Sequence, residues 1–280
     1  MNQAIKASGD RKVKFWDNQK NTFGLLPGPE GTCPMATVGP GGCRCVEAGR
    51  KNPTCYVYNT MSAYKAVRGV LDENTQLLKS AGSAAKQVEI LSVEFKRFRD
   101  TELRRDKPQL FYRLHWSGDI YDNDYALALS QAMKQFPDIT FWCYTRSLPF
   151  AQFLADNTPN LILYLSLDPV NIQFGLGCYY EWLAGPHPHN NLQICYMSKQ
   201  KDFNEQYLRA YYRRQLAGTL ASYTSTEHVE YPAWPKDPPE LQSCPVDEGK
   251  MKLDGGCANC RRCLTKASKT GQTRPVWFNA

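Results

Sequence analysis

The sequence predicts an α/β fold: a parallel β/α barrel, complete or partial and TIM-like, with an irregular N-terminal segment and a C-terminal cysteine-rich, cluster-binding segment. Three observations carry this. From residue 110 onward short apolar strands alternate with amphipathic helical stretches, and strand starts fall 22 to 31 residues apart, the spacing of parallel βαβ units. The run Leu161-Ile162-Leu163-Tyr164-Leu165 is apolar throughout, as in a sheet covered on both faces. No Gly-x-Gly-x-x-Gly follows any strand, so a dinucleotide-binding sheet lacks its usual support. An open doubly wound sheet is the alternative.

The chain has 280 residues and reads as a single domain, with 1–54 an N-terminal cysteine-containing extension, 55–218 the β/α body and 219–280 a connector and cysteine-rich segment. Residues 1–32 look irregular, with a short strand expected over 12–16 and a turn at Leu26-Pro27-Gly28-Pro29. Gly39-Pro40-Gly41-Gly42 is a loop. Cys55-Tyr56-Val57-Tyr58 is β-prone and apolar, and is expected to be a first buried strand. Tyr64, Val67, Leu71, Asn74 and Leu78 then recur at helical spacing, and after a break at 80–83 Ala84, Val88, Leu91, Phe95 and Phe98 continue the period, giving two helices stopped by Pro108.

Strands are expected over 110–115, 139–144, 161–165 and 192–197. Helices are expected over 122–136 and 149–155, and another from Asp202 to about Leu216. Residues 219–239, with Pro232, Pro235, Pro238 and Pro239, read as an extended connector, and the tail from Lys266 as peripheral.

Hydrophobic residues make up 42 % of the chain and charged residues 22 %, enough apolar content to bury a core. The 34 basic and 27 acidic residues give a net charge of +7, spread without a long basic run. A nucleic-acid footprint is therefore disfavoured. No stretch approaches the ~18 apolar residues of a membrane span, and the N-terminus has no signal core. A cytosolic setting follows, in which eleven cysteines argue for metal over disulfides.

The metal-ligating pattern lies near the end. Cys257, Cys260 and Cys263 are each separated by two residues, and Cys244-Pro245 precedes them by twelve. Three closely spaced thiolates plus a remote Cys-Pro fit an iron–sulfur site, 4Fe-4S ahead of 3Fe-4S. A closed zinc site is the alternative, since four thiolates also suit zinc. Cys33, Cys43, Cys45 and Cys55 fit no standard spacing; they form a second site, complete the first, or are buried thiols. Cys143, Cys178 and Cys195 read as buried thiols.

In β/α folds polar residues at the carboxyl ends of strands are the candidates for chemistry. The first edge reads Arg113-Leu114-His115-Trp116-Ser117-Gly118-Asp119. Alternation would set Arg113 and His115 on one face, with Asp119 in the following turn. The next edges supply Tyr144-Thr145-Arg146-Ser147 and Ser166-Leu167-Asp168. Arg113, His115, Asp119 and Arg146 are the candidate catalytic set, able to bind a small anionic substrate or move a proton.

Thr32-Cys33-Pro34 with Cys55-Tyr56, the stretch from Arg113 to Asp119, Tyr144-Thr145-Arg146-Ser147 and Cys257-x-x-Cys260-x-x-Cys263 together resemble the gene-product-88-like family of bacteriophage proteins. The blocks run in order over roughly residues 30–265. The resemblance implies a phage protein of the host cytoplasm with a barrel-like β/α body and an iron–sulfur cluster. More distantly the chain is similar to radical S-adenosylmethionine enzymes, but it has no Cys-x-x-x-Cys-x-x-Cys motif. The expected function is an iron–sulfur enzyme or redox protein with its cluster near the barrel mouth. The competing reading is a zinc-stabilised nucleic-acid-binding or regulatory module, in which Tyr211-Tyr212-Arg213-Arg214 would supply stacking and charge.

Overall fold

The computed structural model describes residues 4–9, 14–36, 55–167, 171–186, 188, 191–198, 242–243 and 276–279. Three helices come first: α1 (Tyr56–Ala63), α2 (Lys65–Lys79) and α3 (Ala84–Leu103). The regular part follows as β1 (Phe111–Arg113), α4 (Asn123–Lys134), β2 (Thr140–Thr145), α5 (Leu148–Asn157), β3 (Leu161–Leu167), α6 (Ile172–Ala184) and β4 (Leu192–Ser198). Two further strands, β5 (Gln242–Ser243) and β6 (Val276–Asn279), close the order.

All strand pairs are parallel, and the sheet runs β1-β2-β3-β4-β6-β5. The first four strands are neighbours in chain order, each pair joined through one helix. Crossovers of this kind share one hand, which puts α4, α5 and α6 on the same face. Side-chain alternation agrees. Tyr112, Phe141, Cys143, Leu161, Leu163, Leu165, Leu192 and Ile194 join residues of α3 to α6 in one buried cluster. The opposite face carries Trp142, Ile162 and Tyr164, also buried but outside that cluster. The sheet is thus covered on both sides, as its apolar strands require. Among the described residues no strand pair joins β5 to β1 to close a barrel.

Helix ends follow the sequence. Ser83 caps α3 by accepting from Lys86 N, and Asp122 caps α4 by accepting from Tyr125 N at 2.8 Å. Phe95 of α3 anchors the core against Phe141, Tyr112 and Phe136, with ring centroids 4.7, 5.3 and 6.2 Å away. Glu94 lies beside it, buried, holding Arg97 through two hydrogen bonds and accepting from the Tyr112 hydroxyl at 2.9 Å. Burial raises the Glu94 carboxyl, and the Arg97 and Tyr112 hydrogen bonds pull it back.

The N-terminal segment is irregular but tightly held. Asn74 of α2 is buried, accepts from Lys6 N, and donates to the carbonyls of Lys6 and Gly24. Thr22 bridges in parallel to Arg113, and Arg113 N donates to Asn21 O at 2.9 Å, so residues 21–25 run along the free edge of β1. That covers an edge which would otherwise offer unpaired backbone groups.

Three expectations need correction, and one helix is new. Residues 55–58 are not a strand: Cys55 is the N-cap of α1, and Val57 is buried in the helix. Of the strand expected over 12–16, residues 14–16 form no strand and bend at 15–16, and 12–13 lie outside the described residues. The tail is not wholly peripheral, because β6 sits inside the sheet between β4 and β5. Helix α6 is an addition: Gly175 and Gly177 interrupt it, and its apolar residues make no single stripe. Gly175 is there for packing, since a Cβ would stand 2.2 Å from Leu167 Cδ2. The helix expected from Asp202 and the proline-rich connector lie outside the described residues.

Candidate functional site

Strand β1 stops at Arg113, and the alternation predicted from sequence stops with it. The Arg113 guanidinium lies over the rings of Trp142, at 5.3 Å, and Tyr144, at 6.0 Å, on the face away from the helices. The aromatic row continues across that face, with Trp142 to Tyr144 at 5.0 Å and Tyr144 to Tyr164 at 5.2 Å. After Leu114 the chain turns through His115, which has φ 53°. This is the left-handed region, uncommon for a residue with a Cβ.

The turn sends His115 to the helix side. Its Nε2 is 2.7 Å from the Tyr125 hydroxyl, and Phe23 meets its ring edge-on at 5.2 Å. Arg113 and His115 therefore do not share a face, which corrects the expectation from alternation. His115 is buried, and its Nδ1 has no hydrogen-bond partner among the described residues. Burial, helped by the nearby Arg113 charge, pushes its pKa down to about 3, so the ring is neutral at physiological pH.

Gly118 and Asp119 complete the loop. Gly118 has φ 79°, and a Cβ there would fall 2.4 Å from Thr32 Oγ1. Asp119 reaches the end of the neighbouring strand. Its Oδ1 accepts from Thr145 Oγ1 at 2.6 Å and from Ile120 N at 2.8 Å, and its Oδ2 accepts from Arg146 N at 2.7 Å. Burial raises the carboxyl, and these hydrogen bonds oppose the rise. Asp119 and Arg146 are thus brought together through the Arg146 main chain, and the carboxylate latches the β1–α4 loop to the end of β2. Ser117 Oγ donates to Leu25 O, and Asp119 N donates to Thr32 Oγ1, tying the N-terminal loop to the same place.

Beside this latch lies a cleft of about 480 Å³, lined by Pro29, Lys79, Ser83, Gln87, Tyr121, Asp122 and Asp124 among others. Tyr121 stacks on Tyr125 at 4.4 Å and 9°, and Tyr125 holds His115, so the cleft wall connects to the buried imidazole. No local sequence pattern joins these residues, which come from the N-terminal segment, α2, α3 and the start of α4.

Cys244, Cys257, Cys260, Cys263, Cys43 and Cys45 lie outside the described residues, as does Asp168. Cys33, Cys55 and Cys178 are partly buried, and Cys143 and Cys195 fully. Burial pushes the Cys143 thiol far above its ordinary value, so it is an inert core group. Among the described residues no group of three His, Cys, Asp or Glu side chains is set to hold a metal.

A family model described as Gene product 88 matches residues 2–266. The chain is 34 % identical to the Gene 88 protein of Mycobacterium phage L5 over 179 residues, 60 % of this chain and 70 % of that protein. It is 32 % identical to the Gene 88 protein of Mycobacterium phage D29 over 180 residues, with the same shares. No solved structure matches the chain. The likeness to radical S-adenosylmethionine barrels gains no support from these matches.

Proposed function

The chain belongs to the Gene product 88 family of bacteriophage proteins, and from that premise we propose an iron–sulfur protein of the host cytoplasm whose cluster sits at the carboxyl edge of its sheet. Cys244, Cys257, Cys260 and Cys263 are the proposed ligands. The observation that carries the reading is the end of β5. That strand runs parallel to the rest and finishes at Ser243, so the chain passes from the carboxyl edge of the sheet directly into Cys244. His115, Asp119 and Arg146 stand at the ends of β1 and β2 on that same edge. Cys143 and Cys195 are buried in strands and are poor donors, while the spacing of the triplet suits a cluster.

In a flat sheet, five strand spacings would put the end of β5 roughly 24 Å from that of β1. Curling the sheet toward a barrel, with the helices outside, shortens this distance and sets the aromatic row of Trp142, Tyr144 and Tyr164 inside. The curled arrangement is part of the proposal. No helix among the described residues is long and apolar enough to cross a membrane.

A bound cluster supplies one-electron chemistry. The chain's own groups then have separable tasks. Arg113 holds positive charge over the aromatic row, suited to an anionic substrate. His115, kept neutral by burial, offers an uncharged imidazole, and Asp119 with the Arg146 main chain fixes the loop that carries it.

The test is a set of cysteine variants. Cys257→Ala, Cys260→Ala and Cys263→Ala are each expected to lose the metal, while Cys143→Ala and Cys195→Ala keep it. Full retention in all three triplet variants would sink the assignment.

A further inference from the structure

The cleft beside the strand ends has a composition that selects its ligand. Asp122 and Asp124 stand on its rim, and among the described residues Lys79 is its one cationic lining residue. Lys79 is already engaged: its Nζ donates to Gly31 O at 2.5 Å and lies 5.4 Å above the Tyr121 ring. The remaining polar groups are mostly acceptors. Asp122 Oδ1 caps Tyr125 N, and a carboxylate has acceptor sites to spare. Gln87 is 4 % exposed and donates its amide to Leu78 O, at 3.0 Å, and to the Tyr121 hydroxyl, at 3.1 Å. Its Oε1 has no hydrogen-bond partner among the described residues. Exchanging the two ends of the amide would set its oxygen against the Leu78 carbonyl, acceptor on acceptor at 3.0 Å.

A buried acceptor without a donor is costly unless a ligand supplies one. Two carboxylates at the rim select for positive charge. The chain as a whole carries +7, so a small cation gains nothing from the overall field and must find a local site. A volume of about 480 Å³ falls within the range of small-molecule sites, ~300–1,000 Å³. Lys79 shows how this cleft holds an ammonium, with a backbone carbonyl and a tyrosine face.

We infer that this cleft binds a primary aliphatic amine in its ammonium form, of the diamine or polyamine class. One ammonium donates to Gln87 Oε1, and the charge is balanced by Asp122 and Asp124. The site uses none of the proposed cluster ligands and stands independently of the metal.

The experiment is calorimetric titration of the full chain with putrescine at low salt, beside its fully N-methylated analogue and inorganic phosphate. A second arm uses the double variant Asp122→Asn, Asp124→Asn. Asparagine is itself a strong N-cap, so α4 is retained, and an unchanged melting temperature of the ligand-free variant checks this. Expected are saturable putrescine binding, a roughly tenfold or greater weakening in the double variant, and a similar weakening for the methylated amine, which has no N–H to give Gln87. Absence of putrescine binding at about 10 mM would overturn the inference. So would equal affinity for the two amines, equal affinity in the double variant, or preference for phosphate.

Discussion

Acidification from pH 6.5 to about 3 is expected to remove on the order of 4–5 kcal/mol of folding stability through one side chain, His115. In the unfolded chain the imidazole takes up its proton near 6.5; in the folded protein burial and the Arg113 charge delay this to about 3. Between these values the unfolded state holds the extra proton. The contribution is therefore fully present above pH 6.5 and is lost as the pH falls. Asp119 and Glu94 act in the opposite sense. Their folded values are raised, so what they contribute is present at low pH and lost as the pH rises through those values. Comparison with a variant isolates the histidine. Asparagine tolerates the left-handed backbone of position 115, so His115→Asn loses the Tyr125 hydrogen bond, roughly 1–2 kcal/mol at pH 7, without backbone strain. Urea unfolding at pH 7 and pH 4 should show the wild type losing about 3 kcal/mol more than the variant over that interval. Parallel losses in the two proteins would contradict the buried, neutral state of His115.

The second large effect belongs to the latch. Asp119→Ala leaves the Thr145 hydroxyl and the backbone N–H groups of Ile120 and Arg146 without their acceptor in a buried setting. Each buried group left unmatched costs about 1–3 kcal/mol, so a total of roughly 3–5 kcal/mol is expected. Thr145→Val removes one donor and should cost about 1–2 kcal/mol. The two changes share an interaction, so the double variant should be more stable than the sum of the singles implies, by at least ~0.5 kcal/mol. Denaturant unfolding of the four proteins measures this cycle. Strict additivity, or a loss below about 1 kcal/mol for Asp119→Ala, would mean that the carboxylate does not join the ends of β1 and β2.

Much of the body was legible because its local signals agree. The apolar strands, the Asp122 cap and the period of Tyr125, Leu129 and Met133 all point to βαβ units, and β1 to β4 with α4 and α5 appear there. The misses have particular causes. Tyr56, Val57 and Tyr58 favour strands on their own, but strand preference yields to tertiary packing, and here they open a helix. Helix α6 hides because glycines break its stripe where Leu167 packs closely. Strand β6 has only four residues, and its place beside β4 depends on a pairing between distant segments. The candidate site was half legible. Residue types at the strand ends marked Arg113, His115, Asp119 and Arg146, while the left-handed turn at His115 set its direction, and no period in the sequence encodes such a turn. The cleft was invisible because Gln87, Tyr121 and Lys79 meet only in three dimensions.

Metal analysis of the anaerobically purified full chain decides whether the C-terminal cysteines hold an iron–sulfur cluster. About four iron and four acid-labile sulfide per chain are expected, with zinc at background. A folded chain with one zinc and no sulfide, or with no bound metal, would contradict that assignment.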